Sequence, residues 1–245
     1  METKQTEKAA NSGPLAELSL DPLADGVGEL SLQRVSGSDL DIANAARVSY
    51  RRKSEQFGES DERLIRVLIE HGHMTPFEQT FLQFRVKAPI FVVRHWVRHR
   101  IGVSYNEASG RYTEFSGEYY MPKIWRVSDP QNRHAVTVET VLPDAEELHV
   151  AYEKTVGYCL QTYKRLIDAG VVKELARVIL PVCMYTEFVF GCNMRSLLHF
   201  VSLRDDVHAQ WEIRQYARGM LDLAQRYFPV AVRTWRTVHE QRKKD

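Results

Sequence analysis

The sequence is poor in cysteine, with Cys159, Cys183 and Cys192 the only three in 245 residues. An odd number without a short repeating spacing argues against a disulfide framework and against a cysteine-rich zinc site, so no metal centre is expected. It also points to a reducing, cytoplasmic setting. Long apolar runs are missing too. Met1 to Pro14 is polar and mixed in charge, unlike a secretory leader, and no stretch reaches the roughly 18 apolar residues of a membrane span. Charge of one sign is absent: 33 Lys and Arg oppose 32 Asp and Glu, a net charge of +1, which is no global nucleic-acid footprint. No glycine-rich turn of the dinucleotide or P-loop type follows a strand pattern, so a bound nucleotide must be held in some other way.

What is present is an ordinary globular composition, 44% hydrophobic and 27% charged, long enough for one sizeable core. Residues 1–27 are rich in turn formers and poor in apolar periodicity, and read as a flexible tail. The folded domain is expected over 28–240, opening with a short strand at Gly28–Leu32. Ser38 and Asp39 cap a helix through Ile42, Ala45 and Val48, and Asp61 opens a second that Gly72 ends. Gln79 to Lys87 reads as a strand, and Pro89 starts a helix carrying Phe91, Val92, Val93 and Trp96. Residues 101–110 read as a loop and Tyr112 to Tyr120 as a strand. Pro143 and Asp144 open a long helix to about Ala169. A short helix at Lys173–Ile179, a strand at Val182–Cys192, a helix capped by Asn193 and another over His208–Tyr227, ended by Pro229, complete the pattern. All three cysteines fall in apolar patterns and are expected to be buried. With no internal repeat and no compositional break after residue 28, this is one α/β or α+β domain with a few strands and several long helices.

Chemistry concentrates between residues 94 and 111. On a helix Arg94 and Arg98 share a face, and His99 and Arg100 follow directly. Guanidinium forks match phosphate oxygens in pairs, so an anion would relieve the repulsion between them. A solvated basic helix end that complements the helix dipole explains the same spacing. Ser104, Asn106, Ser109 and Arg111 then add donors within one short segment, and Gly102 and Gly110 allow close backbone approach. A nucleic-acid-binding module using the Arg94–Arg111 cluster is one alternative reading of these residues.

The run Arg98-His99-Arg100 followed by Ser104-Tyr105-Asn106-Glu107-Ala108-Ser109-Gly110-Arg111 resembles the signature of flavin-dependent thymidylate synthases. That motif is usually written Arg-His-Arg, seven residues, then Ser. Here Ala108 stands at that place and Ser109 follows after eight, so the extra residue lies within Ile101-Gly102-Val103. The likeness extends over roughly 28–228. It runs through Ala45–Tyr50, His71-Gly72-His73-Met74-Thr75-Pro76-Phe77-Glu78, Arg177–Pro181, Asn193–Leu197, Leu203-Arg204 and His208–Glu212.

The resemblance implies a single domain with a mainly antiparallel or mixed sheet packed with several long helices. It implies contacts to FAD from Thr75, Arg98, His99, Arg100, Glu107, Asn193, Arg195 and His199. It implies dUMP binding by His95, Trp96, Val97, Arg98, Glu107, Ala108, Ser109, Gly110, Arg111, Arg177 and Arg204, with His73 near the flavin and folate side. The implied reaction converts dUMP to dTMP, with 5,10-methylenetetrahydrofolate as carbon donor and NADPH as reductant through FAD, in a homotetramer with shared sites. Arg204 is the residue expected to polarise the pyrimidine; a guanidinium stays protonated in proteins, which rules it out as a free base. Ser109 is expected to bind phosphate, since the local sequence offers no base to activate it. Neither a nucleic acid nor a membrane is an expected partner.

Taken singly, several of these residues have structural explanations. Arg177 can pair with Glu174 at i, i+3; Asn193 can be only a helix cap; Arg204 can pair with Asp205 or Asp206.

Overall fold

Alternating apolar side chains build the sheet on which everything else rests. A computed structural model describes residues 19–127, 142 and 144–242. Strands β1 (Ser19–Leu20), β2 (Glu29–Ser36), β3 (Phe81–Pro89), β4 (Val103–Glu107) and β5 (Tyr185–Cys192) form one sheet in the order β1-β2-β3-β5-β4. All four pairings are antiparallel. Registers align apolar rows across the sheet: Leu32 faces Phe84, Phe84 faces Phe190, and Phe190 faces Tyr105. A parallel row runs Leu30–Val86–Phe188. These side chains leave water on one face and pack together, the favourable term that drives the fold.

Helices cover that face. α1 (Asp39–Arg47), α2 (Glu59–Glu70), α3 (Ile90–Trp96), α4 (Ala145–Asp168), α5 (Lys173–Ala176), α6 (Met194–Arg204), α7 (Trp211–Gln225) and α8 (Pro229–Arg242) complete the order. α3 leaves β3 without a loop, because Pro89 ends the strand and pre-sets the backbone angle for the helix (φ −60°). Trp96, at the end of α3, is fully buried and meets four rings: Phe188 at 5.1 Å, Phe190 at 5.7 Å, Phe200 at 5.0 Å and Tyr216 at 5.8 Å between centroids. This cluster joins the sheet to α6 and α7, and it seats the Arg98–Arg100 run just beyond it.

Five sequence expectations are corrected. Order does not begin at residue 28. Residues 19–20 pair with β2, Leu23 is buried, and Asp25 accepts the amides of Val27 and Gly28 at 3.0 and 2.9 Å; residues 1–18 lie outside the described residues. The segment 101–110 is not all loop, since Val103–Glu107 pairs with β5 as an edge strand, where polar residues are tolerated. Tyr112 to Tyr120 is not a strand and makes one isolated bridge, Tyr119 to Met184. Cys183 and Cys192 are buried, whereas Cys159 on α4 is only half-buried. Pro229 ends nothing: it is the first residue of α8, where its missing N–H costs no hydrogen bond.

The cap of α8 comes from elsewhere in the chain. Asp39 Oδ2 accepts from the Val230 amide at 2.7 Å and Oδ1 from the Ala231 amide at 3.0 Å, all buried. Burial raises the Asp39 pKa, and these two bonds oppose that rise. Asp39→Ala should therefore strip two helix amides of a charged acceptor and cost about 2–3 kcal/mol. Thermal denaturation should show a Tm lower by roughly 5–10 °C; an unchanged Tm would show that the cap is dispensable.

Candidate active site

The end of α3, the start of β4 and one face of α6 meet around Arg204. Tyr105, in the middle of β4, makes the junction. Its hydroxyl lies 2.9 Å from the Trp96 carbonyl and 2.8 Å from the His99 carbonyl, so it ties the edge strand to the turn after α3. Burial raises the Tyr105 pKa and keeps the hydroxyl protonated as a donor. The turn itself is tight. Gly102 has φ +65°, and a Cβ there would sit 2.4 Å from Ser196 Oγ and 3.0 Å from Asn193 Nδ2. Only glycine fits such a place without a shift. Ser196 Oγ then donates to the Ile101 carbonyl at 2.9 Å, pinning the turn to α6.

His99 is buried while Arg98 and Arg100 beside it are exposed. Its ring lies edge-on to Phe200 at 4.8 Å and to His199 at 5.9 Å. Arg204, from the last turn of α6, donates from Nε to His99 Nε2 at 2.9 Å. That bond requires a neutral imidazole with its proton on Nδ1. Burial first, then Arg204 and His199, hold the His99 pKa down at about 4. Burial and the neighbouring Arg98 also lower the Arg204 pKa, with no carboxylate acting against them. Among the described residues Arg98, Arg100 and Arg204 have no ion pair. Three cations without acidic partners around a cavity of about 230 Å³ make an anion-receiving site.

A second cavity of about 620 Å³ adjoins it, sharing Ile101, Ser196 and His199. Asn193 and Arg195 line it from the N-terminus of α6, facing Trp235 of α8. Asn193 Oδ1 caps the Ser196 amide at 2.8 Å, and Arg195 pairs with Glu78. Thr75 opens the 3₁₀ turn Thr75–Gln79 and is exposed, between the cavity residues Met74 and Glu78, while His73 is exposed just before it.

The remaining expected residues stand apart. Glu107 ends β4 and accepts from Thr186 Oγ1 at 2.8 Å. Ala108, Ser109, Gly110 and Arg111 follow it in a tight loop in which Ser109 Oγ accepts from the Arg111 amide at 3.3 Å. Gly110 packs against Phe115 and Arg177; a Cβ there would be 2.5 Å from Phe115 and 3.3 Å from Arg177 Cδ. Ala108 and Gly110 line a cavity with Thr186 and Glu187 that is different from the one at Arg98 and Arg204.

Two of the structural explanations open from sequence do not hold. Glu174 pairs with Arg111 at 2.9 Å, not with Arg177. Asp205 pairs with Arg218 at 2.7 Å, leaving Arg204 to His99. The cap at Asn193 does form, on a helix end that also lines the cavity. One expected contact is corrected. Trp96 has no exposed side chain, so its indole lies in the core and not on a pocket wall. Val97 beside it is exposed, and His95 is half-buried, with burial first and then Arg204 lowering its pKa and Gln210 and Glu212 opposing them.

Sequence reasoning missed Tyr105, Ser196 and Gln210 as parts of the site. Tyr105 lay inside the quoted motif, but as a loop residue it had no partner to suggest its role. Ser196 and Gln210 likewise lay in the stretches Asn193–Leu197 and His208–Glu212, with nothing local to show what each would meet.

The fold and the site together define an α+β domain whose α3–β4 turn and one helix present guanidinium groups without ion pairs among the described residues, around glycine-cradled cavities. Residues 31–230 match the thymidylate synthase complementing protein family. A flavin-dependent thymidylate synthase from Kosmotoga olearia is 44% identical over 207 residues, covering 83% of this chain and 87% of that protein. One from Thermosipho africanus is 46% identical over 199 residues, covering 80% and 85%. The crystal structure of a UMP/dUMP methylase, PolB from Streptomyces cacaoi, bound with 5-Br dUMP, superposes with a TM-score of 0.77 at 34% identity, covering 85% of this chain and 94% of that one. The chain belongs to the flavin-dependent thymidylate synthase family.

Proposed function

We propose that this enzyme is a flavin-dependent thymidylate synthase, which methylates dUMP reductively to dTMP with 5,10-methylenetetrahydrofolate as carbon donor and NADPH as reductant through FAD. The observation that carries the reading is Arg204, a half-buried guanidinium with no acidic partner among the described residues, bonded to His99 beside Arg98 in a member of this family.

The residues present fit a flavin dinucleotide. Its two phosphates suit Arg98 and Arg100, exposed and without an ion pair among the described residues, and the Gly102 cradle leaves no room for a side chain next to Asn193 and Ser196. Asn193, Arg195 and His199 line the same cavities, with Thr75 beside them and Glu107 at the far end of β4. Bound FAD supplies the redox chemistry, and the protein supplies binding, orientation and electrostatics. Arg204 and His95 are placed for the pyrimidine, where the guanidinium stabilises negative charge that develops on the ring carbonyls. Val97 and Arg98 border that position. Glu107, Ala108, Ser109, Gly110, Arg111 and Arg177 form the phosphate end, and His73 lies toward the folate.

Separation of these two groups in one chain supports a homotetramer in which different subunits complete each site. Exposed Val172, Leu175, Val178 and Val182 flank Arg177, an apolar surface of the kind that subunits cover. Cytoplasmic location agrees with the free thiols and with the absence, among the described residues, of a helix long and apolar enough to cross a membrane. Burial raises the Cys183 and Cys192 pKa values, which disfavours a thiolate nucleophile at either.

The reading is tested by the absorbance of the purified protein in the flavin bands, followed by dUMP-dependent oxidation of the reduced flavin and assay for dTMP. Yellow protein that makes no dTMP would instead be a non-catalytic flavoprotein. Colourless protein that binds random RNA or DNA in a salt-sensitive manner would overturn the reading entirely. Ser109→Ala should raise the Kd for dUMP about tenfold, the loss of one charge-assisted hydrogen bond, while turnover persists at saturating dUMP. Abolished single-turnover chemistry with FAD still bound would make Ser109 more than a phosphate ligand.

A further inference from the structure

We infer that His99 is the positioning residue for Arg204: a neutral acceptor that fixes the guanidinium plane through Nε while leaving its positive charge unspent for the substrate. The inference rests on the role of Arg204 proposed above.

Among the described residues, most other arginine side chains with a short contact meet a carboxylate. Arg47 meets Asp61, Arg85 meets Glu187, Arg111 meets Glu174, Arg126 meets Glu212, Arg195 meets Glu78 and Arg218 meets Asp205. Arg204 meets an imidazole nitrogen. A carboxylate at that point would hold the guanidinium equally well, yet would neutralise it in a half-buried setting where the charge is worth most. An imidazole holds the geometry and takes none of the charge. The acceptor is itself immobilised. Phe200 packs against the His99 ring at 4.8 Å, the Tyr105 hydroxyl sits on its carbonyl at 2.8 Å, and its amide donates to the Trp96 carbonyl at 3.0 Å. The low His99 pKa keeps the ring neutral through the physiological range, so the bond persists there.

Because Nε is spent on His99, the two Nη groups form the free end of the fork. Two parallel N–H donors in a plane suit a carbonyl–imide edge on which charge accumulates, and a plane set by a rigid partner costs little to orient.

Three variants, each also combined with Arg204→Ala, test this. His99→Gln places a neutral oxygen as many bonds from Cβ as Nε2 is. His99→Glu places a charged one there, and His99→Leu removes the acceptor. Flavin content, dUMP affinity by fluorescence titration, and kcat and KM are read for each, and again in an Arg204→Ala background. We expect the glutamine variant to turn over at least tenfold faster than the glutamate variant, with similar flavin content. The leucine variant should lose about a hundredfold in kcat against wild type and close to nothing further when Arg204 is already alanine. Equal turnover of the glutamine and glutamate variants would overturn the inference, and that comparison decides even if the leucine variant fails to fold. An undiminished leucine effect in the Arg204→Ala background, carried by lost flavin, would reduce His99 to a cofactor contact. A wild-type enzyme that makes no dTMP while His99→Leu still weakens dUMP binding would refute the proposed reaction and not the pairing.

Discussion

Arg204→Ala is expected to lower dTMP formation by about 10² to 10³-fold while flavin content stays close to wild type. That is the usual loss when one donor to developing charge is removed, about 3–4 kcal/mol of transition-state stabilisation. The side chain lies in the wall of the smaller cavity and bonds only to His99 among the described residues, so its removal breaks no ion pair that holds the fold. The effect should fall on kcat more than on KM, because charge on the pyrimidine grows after binding. Arg204→Lys should recover little, since an ammonium group offers no planar fork and cannot both meet His99 and present two parallel donors. Product formation by single-turnover quench, with flavin content from absorbance, makes the measurement. Wild-type rates in the alanine variant would remove Arg204 from the chemistry.

Trp96→Ala should give the largest stability loss of any single substitution near the site. The indole is fully buried among Phe188, Phe190, Phe200 and Tyr216, from β5, α6 and α7. Its deletion removes the transfer energy of a large ring and leaves a cavity between sheet and helices, together about 3–5 kcal/mol. At this chain length the Tm should fall by roughly 10–15 °C. Trp96→Phe should cost a good deal less, because one aromatic ring still fills most of the site. Chemical denaturation with unchanged slope would attribute the loss to the native state. A variant of wild-type stability with a raised KM for dUMP would show that the indole touches the nucleotide after all, as the family likeness implied.

The two substitutions mark what could and could not be read from sequence. Arg204 was singled out from its motif, but its partner was not: the neighbours offered were Asp205 and Asp206, and the structure joins it to His99, 105 positions away. Trp96 was placed correctly on a helix, but its full burial in the core was not foreseen when the likeness put it in the dUMP-binding region. Seven residues of helix show a period without showing which side meets the sheet. Strands β3 and β5 were legible because aromatic residues run through both, with partial alternation in β3 and β-branched residues in β5. β4 was not, since an edge strand with one exposed face can carry Ser, Asn and Glu and look like a loop. Tyr112 to Tyr120 erred the other way: its aromatic and β-branched content suits a strand, but one bridge to Met184 is all the pairing it finds. α8 was overlooked because proline is both a helix stop and a good first residue, and only the distant carboxylate of Asp39 shows which applies.

From sequence alone came the inventory and the order: which donors exist, that they recur in the pattern of one family, and where most helices run. These follow from local covalent preferences and from periodicity, which a one-dimensional string carries in full. The tertiary structure alone decided which donors are neutralised and which stay free. Glu174 goes to Arg111, Asp205 to Arg218, and Arg204 is left to a neutral histidine. That choice depends on sheet register and on how α6 crosses the end of α3, and both are set by packing between segments far apart in the chain.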